Sequence, residues 1–552
     1  MTVGLISACK NNNNEKKMTQ EFESFMRKFD SAYHPLSIQS NLAYWNASIS
    51  GKEKDFDKVE KLSNTISNLL SKKEDFEILK KVKESKSLKD DILKRELDVV
   101  YNSYLSHQYD TAKLNAINKL QIQIEKKYSN YRAEVNGKKL SDNDIENVLQ
   151  TSTNSEELKN TWVAHKKISL LVAEDIVKLV KMRNEQAKAL GFNDFHEMSL
   201  ELSDQNPKDI EKLFDELDSL TVGTFRELKI EIDDYFSKRY KVKAEELMPW
   251  HYQNRFFQEA PKIYKLDLDS YYKKSDLVEL TNKYYNGIGL NVDGIIAKSD
   301  LFEKPSKNQH AYCIDIDNEG DVRVLCNIKP NAQWMNTMLH EYGHGVYDKY
   351  ISTQLPYLLR EPAHTFTTEA IAMMFGRFAS NAQWMKDNLG INESDAKKIA
   401  DDGFKILRLE QMVFSRWAQV MYRFEKSLYA NPDQDLNKLW WDLVEKYQLI
   451  KRPADRNEPD WASKIHIATF PCYYHNYLLG ELLASQLYNY ILKNIIKSDD
   501  FKNQSFSNNL AVGKYLKENV FEPGSRFYWN EMIKKATGEK LTAKYYTKQF
   551  VN

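Results

Sequence analysis

The sequence predicts a mostly α-helical protein, and three observations carry that reading. Glycine and proline are scarce, 18 and 13 in 552 residues, which favours long helices joined by short connections. From about residue 18 to 240, and again from 331 to about 535, apolar residues recur three and four positions apart among charged ones. One stretch alone reads as a convincing strand pair, "HAYCIDIDNEGDVRVLC" at 310–326.

Taken in order, the chain starts with "MTVGLISACKNNNN". Ile6, Ser7, Ala8 and Cys9 resemble a bacterial lipobox, and the asparagine tract resembles the polar tether that follows one. The apolar segment is short and lacks a leading basic residue. Residues 1–17 are therefore expected to be a lipoprotein-like signal or a disordered tail, and 18–552 a single domain. The first reading places the protein in the cell envelope or periplasm, and the alternative in the cytoplasm. The run "IENVLQTSTNSEELKNTWVAHKKISLLVAEDIVKLVKMRNEQAKAL" is helical, and Gly191 after it is a natural C-terminal stop. In the hairpin, a three-residue loop of Asn318, Glu319 and Gly320 would set Asp317 opposite Asp321. Ile314 then pairs with Val324, Ile316 with Val322 and Asp315 with Arg323. That register puts Cys313 opposite Leu325 rather than Cys326, so both are expected as free thiols. Asn331, after Pro330, is the expected cap of the helix that follows.

Composition narrows the function classes. Lys+Arg and Asp+Glu balance at 79 each, so net charge gives no pull toward nucleic acid. Charge runs such as "KKVKESKSLKDDILKRE" mix signs and read as solvated helix faces. Four scattered cysteines are too few for a disulfide framework, and no apolar run is long enough to cross a bilayer.

The informative stretch is "MLHEYGHGVYDKY", residues 338–350. Helix positions four apart differ by about 40° in azimuth, so His340 and His344 project from one face toward a single ion. Glu341 sits about 100° further round, poorly placed as a ligand but within reach of an attacking water. Imidazoles holding Zn²⁺ beside a carboxylate that takes a proton is the arrangement of a zinc hydrolase. Such a site needs a third ligand. In "REPAHTFTTEAIAMMFGRF", Glu369 opens an apolar helical run that Thr367 or Thr368 would cap, and a glutamate among those residues would otherwise be costly to bury. Glu361 and His364 are the competing ligands. His251, His475, Trp440 and Trp441 are read as structural.

With these residues the chain resembles the angiotensin-converting enzyme family of zinc peptidases. It is more distantly similar to the thimet oligopeptidase and oligoendopeptidase group. "NLAYWNASIS", "RNEQAKALGF", "WWDLVEKYQ", "RNE" at 456–458 and "SKIHIATFPCYYHNYLLGELL" carry the likeness over roughly residues 20 to 535. The resemblance implies a helical ellipsoid of two halves around a deep active-site cleft, with one Zn²⁺ on His340, His344 and Glu369 and with Glu341 as general base. It implies that His310 and Ala311 pair with substrate as an added strand, that Lys464 meets the substrate's terminal carboxylate, and that His466 binds near the cut. "PCYYHNY" is one residue longer than the family's spacing. Anchored on the following helix, Tyr477 is the transition-state tyrosine and Tyr474 the carboxylate partner; anchored on His466, Tyr473 takes the carboxylate. Gln258, in "MPWHYQNRFFQEAP", is the nearest match to a carboxylate-binding glutamine. The family's aspartate four residues after the glutamate ligand is Met373 here, and its chloride-binding arginines correspond to Val444 and Asn476. The implied activity is release of C-terminal dipeptides from oligopeptides with a free C-terminus. The alternatives are a thimet-like oligoendopeptidase and a non-catalytic peptide-binding surface lipoprotein.

Overall fold

The structure is a computed structural model that describes residues 3–551, with side chains from Glu15 onward. Cys9, the cysteine of the lipobox-like segment, lies outside the described side chains. Helices dominate, as expected, and the described strands form two separate antiparallel pairs. Among the described residues no helix is long and apolar enough to cross a membrane.

The chain divides into two compact units. The first comprises Met1–Gln108, Leu268–Ala396 and Leu487–Leu541; the second comprises Tyr109–Asp267, Lys397–Gln486 and Thr542–Asn552. In the first, helix α1 (Val3–Ser50) buries Phe22, Phe25, Met26 and Phe29 against Leu79, Val82, Leu97, Val100 and Tyr104. Those four α1 positions follow the i, i+3, i+4, i+7 stripe that makes a helix amphipathic.

In the second unit a strand pair that the sequence reading missed joins β1 (Ala133–Val135) to β2 (Lys138–Leu140). Its turn is Asn136-Gly137, both with positive φ, the pattern a two-residue hairpin requires. Helix α2 (Ile168–Ala189) ends as expected. Gly191 adopts φ +95°, and the Phe192 N–H returns to the Ala187 carbonyl at 3.0 Å, closing the helix with a left-handed C-terminal residue.

Back in the first unit, the expected hairpin forms between β3 (Tyr312–Asp315) and β4 (Val322–Leu325), but its register is one residue from the expected one. Cys313 pairs with Val324, Ile314 with Arg323 and Asp315 with Val322. The loop is longer because Asp317 Oδ1 accepts the N–H groups of Glu319 and Asp321, while Asn318 joins Gly320 at positive φ. Asp315 Oδ1 accepts two further loop N–H groups. Cys313 and Cys326 are free thiols.

Helix α3 (Ala332–Lys349) starts where expected, with Asn331 Oδ1 accepting the Trp334 N–H at 2.8 Å. Helix α4 (Thr365–Gly376) begins earlier than a Thr367 or Thr368 cap would allow. His364 is its cap: its Nδ1 accepts the Phe366 N–H, and Thr367 Oγ1 accepts the His364 N–H. Beyond it run α5 (Glu393–Ala430), the short α6 (His466–Thr469) and α7 (His475–Ile491).

Candidate active site

Two groups of predicted residues are brought together, one in each unit. In the first unit, α3 carries His340, Glu341 and His344, and α4 carries Glu369. The helices approach closely because residue 343 is glycine. A Cβ there would stand 3.1 Å from the Ala372 nitrogen and 2.8 Å from its Cα, the second closer than real side chains come. Asn336 Nδ2 on the Gly376 carbonyl at 2.9 Å adds a second tie between them. Tyr347 reaches the start of α4, its hydroxyl accepting the Ala363 N–H.

This approach sets His340 Nε2 3.3 Å from His344 Nε2. Glu369 Oε2 lies 3.7 Å from the first and 3.8 Å from the second. Two ligands held about 2.0–2.1 Å from one four-coordinate ion stand roughly 3.3 Å apart, so the donor set fits a divalent metal. His340, His344 and Glu369 are the group of metal-ligating side chains that converges in this way among the described residues. The rival ligands are engaged elsewhere: Glu361 accepts from Asn318 Nδ2 at 2.8 Å, and His364 caps α4.

Burial holds both imidazoles neutral, as a ligand must be. His340 is lowered to about 4, and His344 is lowered by burial and then by His340. Burial, and then the Glu369 carboxylate, push Glu341 up to about 8. His344 Nδ1 meets Thr368 Oγ1 at 2.7 Å. The hydroxyl therefore orients the imidazole where Met373 cannot, a contact the sequence reading did not find. His310, exposed, and Ala311 directly precede β3, a strand paired with β4 in a two-stranded sheet.

In the second unit, Lys464 Nζ donates to Gln258 Oε1 at 2.5 Å. It lies 5.4 Å from the ring centroids of Tyr474 and Trp417 and 5.3 Å from that of Phe256. The Gln258 loop is held by Asn254 Oδ1, which accepts the Phe256 and Gln258 N–H groups. Gln448 Nε2 completes the hold by donating to the Phe256 and Phe257 carbonyls. Burial lowers Lys464 to about 7, Arg255 adding to the effect while Glu259 and Glu146 oppose it.

His466 packs on Tyr474 (centroids 5.3 Å apart), Tyr474 on Tyr477 (5.3 Å) and Tyr473 on Tyr477 (5.4 Å). His466 Nδ1 is buried without a hydrogen-bond partner among the described residues. Burial and then Lys464 lower this imidazole to about 4. The segment is fixed from behind: Arg183 Nη2 donates to the Ala468 carbonyl, and Glu425 Oε1 accepts the Cys472 N–H. His251 and His475 have structural partners, Met248 N–H and Ser155 for the first and Gln205 for the second.

A histidine pair and a glutamate converging on one point, with a second glutamate beside the histidines on α3, is the donor set of a metallopeptidase. The chain belongs to the angiotensin-converting enzyme family, whose model matches residues 16–550. It is 22% identical to angiotensin-converting enzyme of Mus musculus over 428 residues, covering 72% of this chain and 32% of that one. The figures for the Rattus norvegicus enzyme are the same. It is also 23% identical to carboxypeptidase 1 of Bacillus subtilis over 299 residues, 50% of this chain and 56% of that one. The matched region thus spans about a third of the length of the mammalian relatives.

Proposed function

We propose that this protein is a zinc peptidase that removes dipeptides from the free C-terminus of oligopeptides. The observation that carries the reading is the convergence of His340, His344 and Glu369 on one point, with Glu341 on the same helix. Bound there, zinc would supply the Lewis acidity that polarises the scissile carbonyl and the positive charge that keeps Glu341 ionised. Glu341 takes a proton from the attacking water and returns it to the leaving amine. Water adds to the carbonyl carbon, the C–N bond breaks, and a carboxylate and an amine result. His466 and Tyr477 take the family's role of hydrogen-bonding the developing oxyanion, each such donor being worth about 10²–10³ in rate. Lys464, Gln258 and Tyr474 hold the terminal carboxylate. Tyr474 suits this role better than Tyr473 because its ring lies beside Lys464. His310 and Ala311 align the substrate backbone at the edge of β3 by strand addition.

Similarity to a protein named a carboxypeptidase keeps release of a single residue as a second reading, and an internal cut as a third. Mass spectrometry of products from peptides of 5–15 residues, with and without chelator, separates them. Loss of two C-terminal residues, abolished by chelator, supports the proposal; internal cuts indifferent to C-terminal amidation overturn it. Glu341→Gln should keep the metal and lose about 10²–10⁴ in kcat, so near-wild-type turnover in that variant removes Glu341 as the base. Anchorage through a lipid at Cys9 belongs to the same proposal, and the mass of the N-terminal peptide from envelope fractions decides it.

A further inference from the structure

Around the Lys464 cluster the second unit places three glutamates. On α5, Glu410, Phe414 and Trp417 follow the i, i+4, i+7 spacing of one helix face. The rings of Phe414 and Trp417 lie 6.3 Å and 6.1 Å from that of Tyr474. On α7, Glu481 stands one turn beyond Tyr477, which itself packs on Tyr474. Glu259 follows Gln258 directly and accepts from its Nε2 at 3.3 Å, while Gln258 Oε1 accepts from Lys464. Glu259 and Glu410 are both exposed, and neither forms an ion pair with a basic side chain among the described residues. Desolvation, and then the like charges of Glu481 and Glu259, push Glu410 up to about 7, so a cation that reaches it draws out its charged form. The nearby guanidinium of Arg255 is spent on Asp142 and Glu146, at 2.8 Å and 2.5 Å.

Lys464 is the independent half of the argument. It is 7% exposed, and its described contacts are an amide oxygen and three aromatic rings, none of them a carboxylate. A buried ammonium without an anionic partner calls for an anion, and open carboxylates that repel one another call for a cation. One ligand residue supplies both: an amino acid with a free α-carboxylate and a cationic side chain.

We infer that Glu259 and Glu410 make the site selective for peptides ending in arginine or lysine, with Lys464 taking the α-carboxylate and the glutamates the side-chain cation. The inference rests on the C-terminal anchoring proposed above, and it names the residue class that this anchor receives.

The test uses the full-length, zinc-loaded protein and a set of hexapeptides differing only in the last residue: Arg, Lys, Gln, Leu or Glu. The expected result is kcat/KM about tenfold or more higher for Arg and Lys than for Leu, the size of a charge-assisted contact, with Glu poorest. In Glu259→Gln/Glu410→Gln the Arg-to-Leu ratio falls toward one. Cleavage of all peptides without a basic preference, or a preference that survives in the double variant, overturns the inference and leaves the peptidase reading standing. If no peptide is cut, the peptidase reading is what fails. Calorimetric binding of the dipeptides Ala-Arg and Ala-Leu then still decides the inference, because equal affinities refute it.

Discussion

Replacing Lys464 by methionine, which keeps the stem and removes the charge, isolates the carboxylate anchor. Lys464 is 7% exposed, donates at 2.5 Å to Gln258 Oε1, and has three aromatic ring centroids 5.3–5.4 Å from its Nζ. A substrate carboxylate reaching it exchanges water for a buried ammonium. Truncating one partner of such a pair costs about 2–5 kcal/mol. The lower part of that range applies, since Lys464 is only partly charged at neutral pH with its pKa lowered to about 7. About 2–3 kcal/mol is a loss of roughly 30- to 150-fold in kcat/KM. The assay compares one peptide as free acid and as C-terminal amide on both proteins. The loss should appear on the acid and nearly vanish on the amide. The pH profile adds a sign. A lysine with a lowered pKa is charged below that value and neutral above it, so kcat/KM for the acid falls as pH rises through about 7, with no matching fall for the amide. Equal losses on acid and amide would falsify the anchor and make Lys464 a packing residue.

Three further outcomes follow from contacts around the two groups. Thr368→Val removes the hydroxyl that meets His344 Nδ1 at 2.7 Å. Metal affinity by chelator competition should drop about 10- to 100-fold, and unchanged affinity would show that the hydroxyl does not orient the imidazole. Turnover should be independent of chloride at constant ionic strength, because Val444 and Asn476 stand where the family has arginines and Asn476 Oδ1 already accepts from Gln205 Nε2 at 2.7 Å; a several-fold rise on adding chloride refutes this. Glu425 is pushed up to about 8 by burial, although the Cys472 N–H and Arg183 oppose the shift. Its folded state therefore holds a proton that the unfolded state releases above the ordinary carboxylate range, and stability falls as pH rises toward 8. Glu425→Gln keeps the acceptor for Cys472 and removes the titration, so its Tm advantage over the native chain should grow between pH 6 and 8; a constant difference rejects that linkage.

What the sequence made legible, and what it hid, divides by the range of the interactions involved. The Asn331 cap, the Gly191 stop and the H-E-x-x-H face are local: each depends on residues within two turns of itself, and each is found where its spacing put it. The β3–β4 register was missed by one residue because it is decided by side chains inside the loop. Asp315 and Asp317 accept four loop N–H groups between them, and that lengthens the turn beyond what strand alternation alone indicates. The Asn136-Gly137 turn was open to reading, since Asn-Gly is the strongest short hairpin signal, but its strands are three residues each in a helical context. The start of α4 was misplaced because histidine is an uncommon cap and two threonines nearby looked better. The non-local parts of the site come from positions whose importance no spacing announces. Gly343 reads as a neutral filler in "HEYGH", yet without it α4 could not come near enough for Glu369 to reach the histidines. Thr368 reads as a helix cap, yet its hydroxyl meets His344. Both lie on the contact between α3 and α4, so the convergence of His340, His344 and Glu369 is set by how closely two helices pack. A Gly343→Ala variant therefore threatens the proposed metal site by moving Glu369 away from the histidines, although none of the three ligand residues is itself changed.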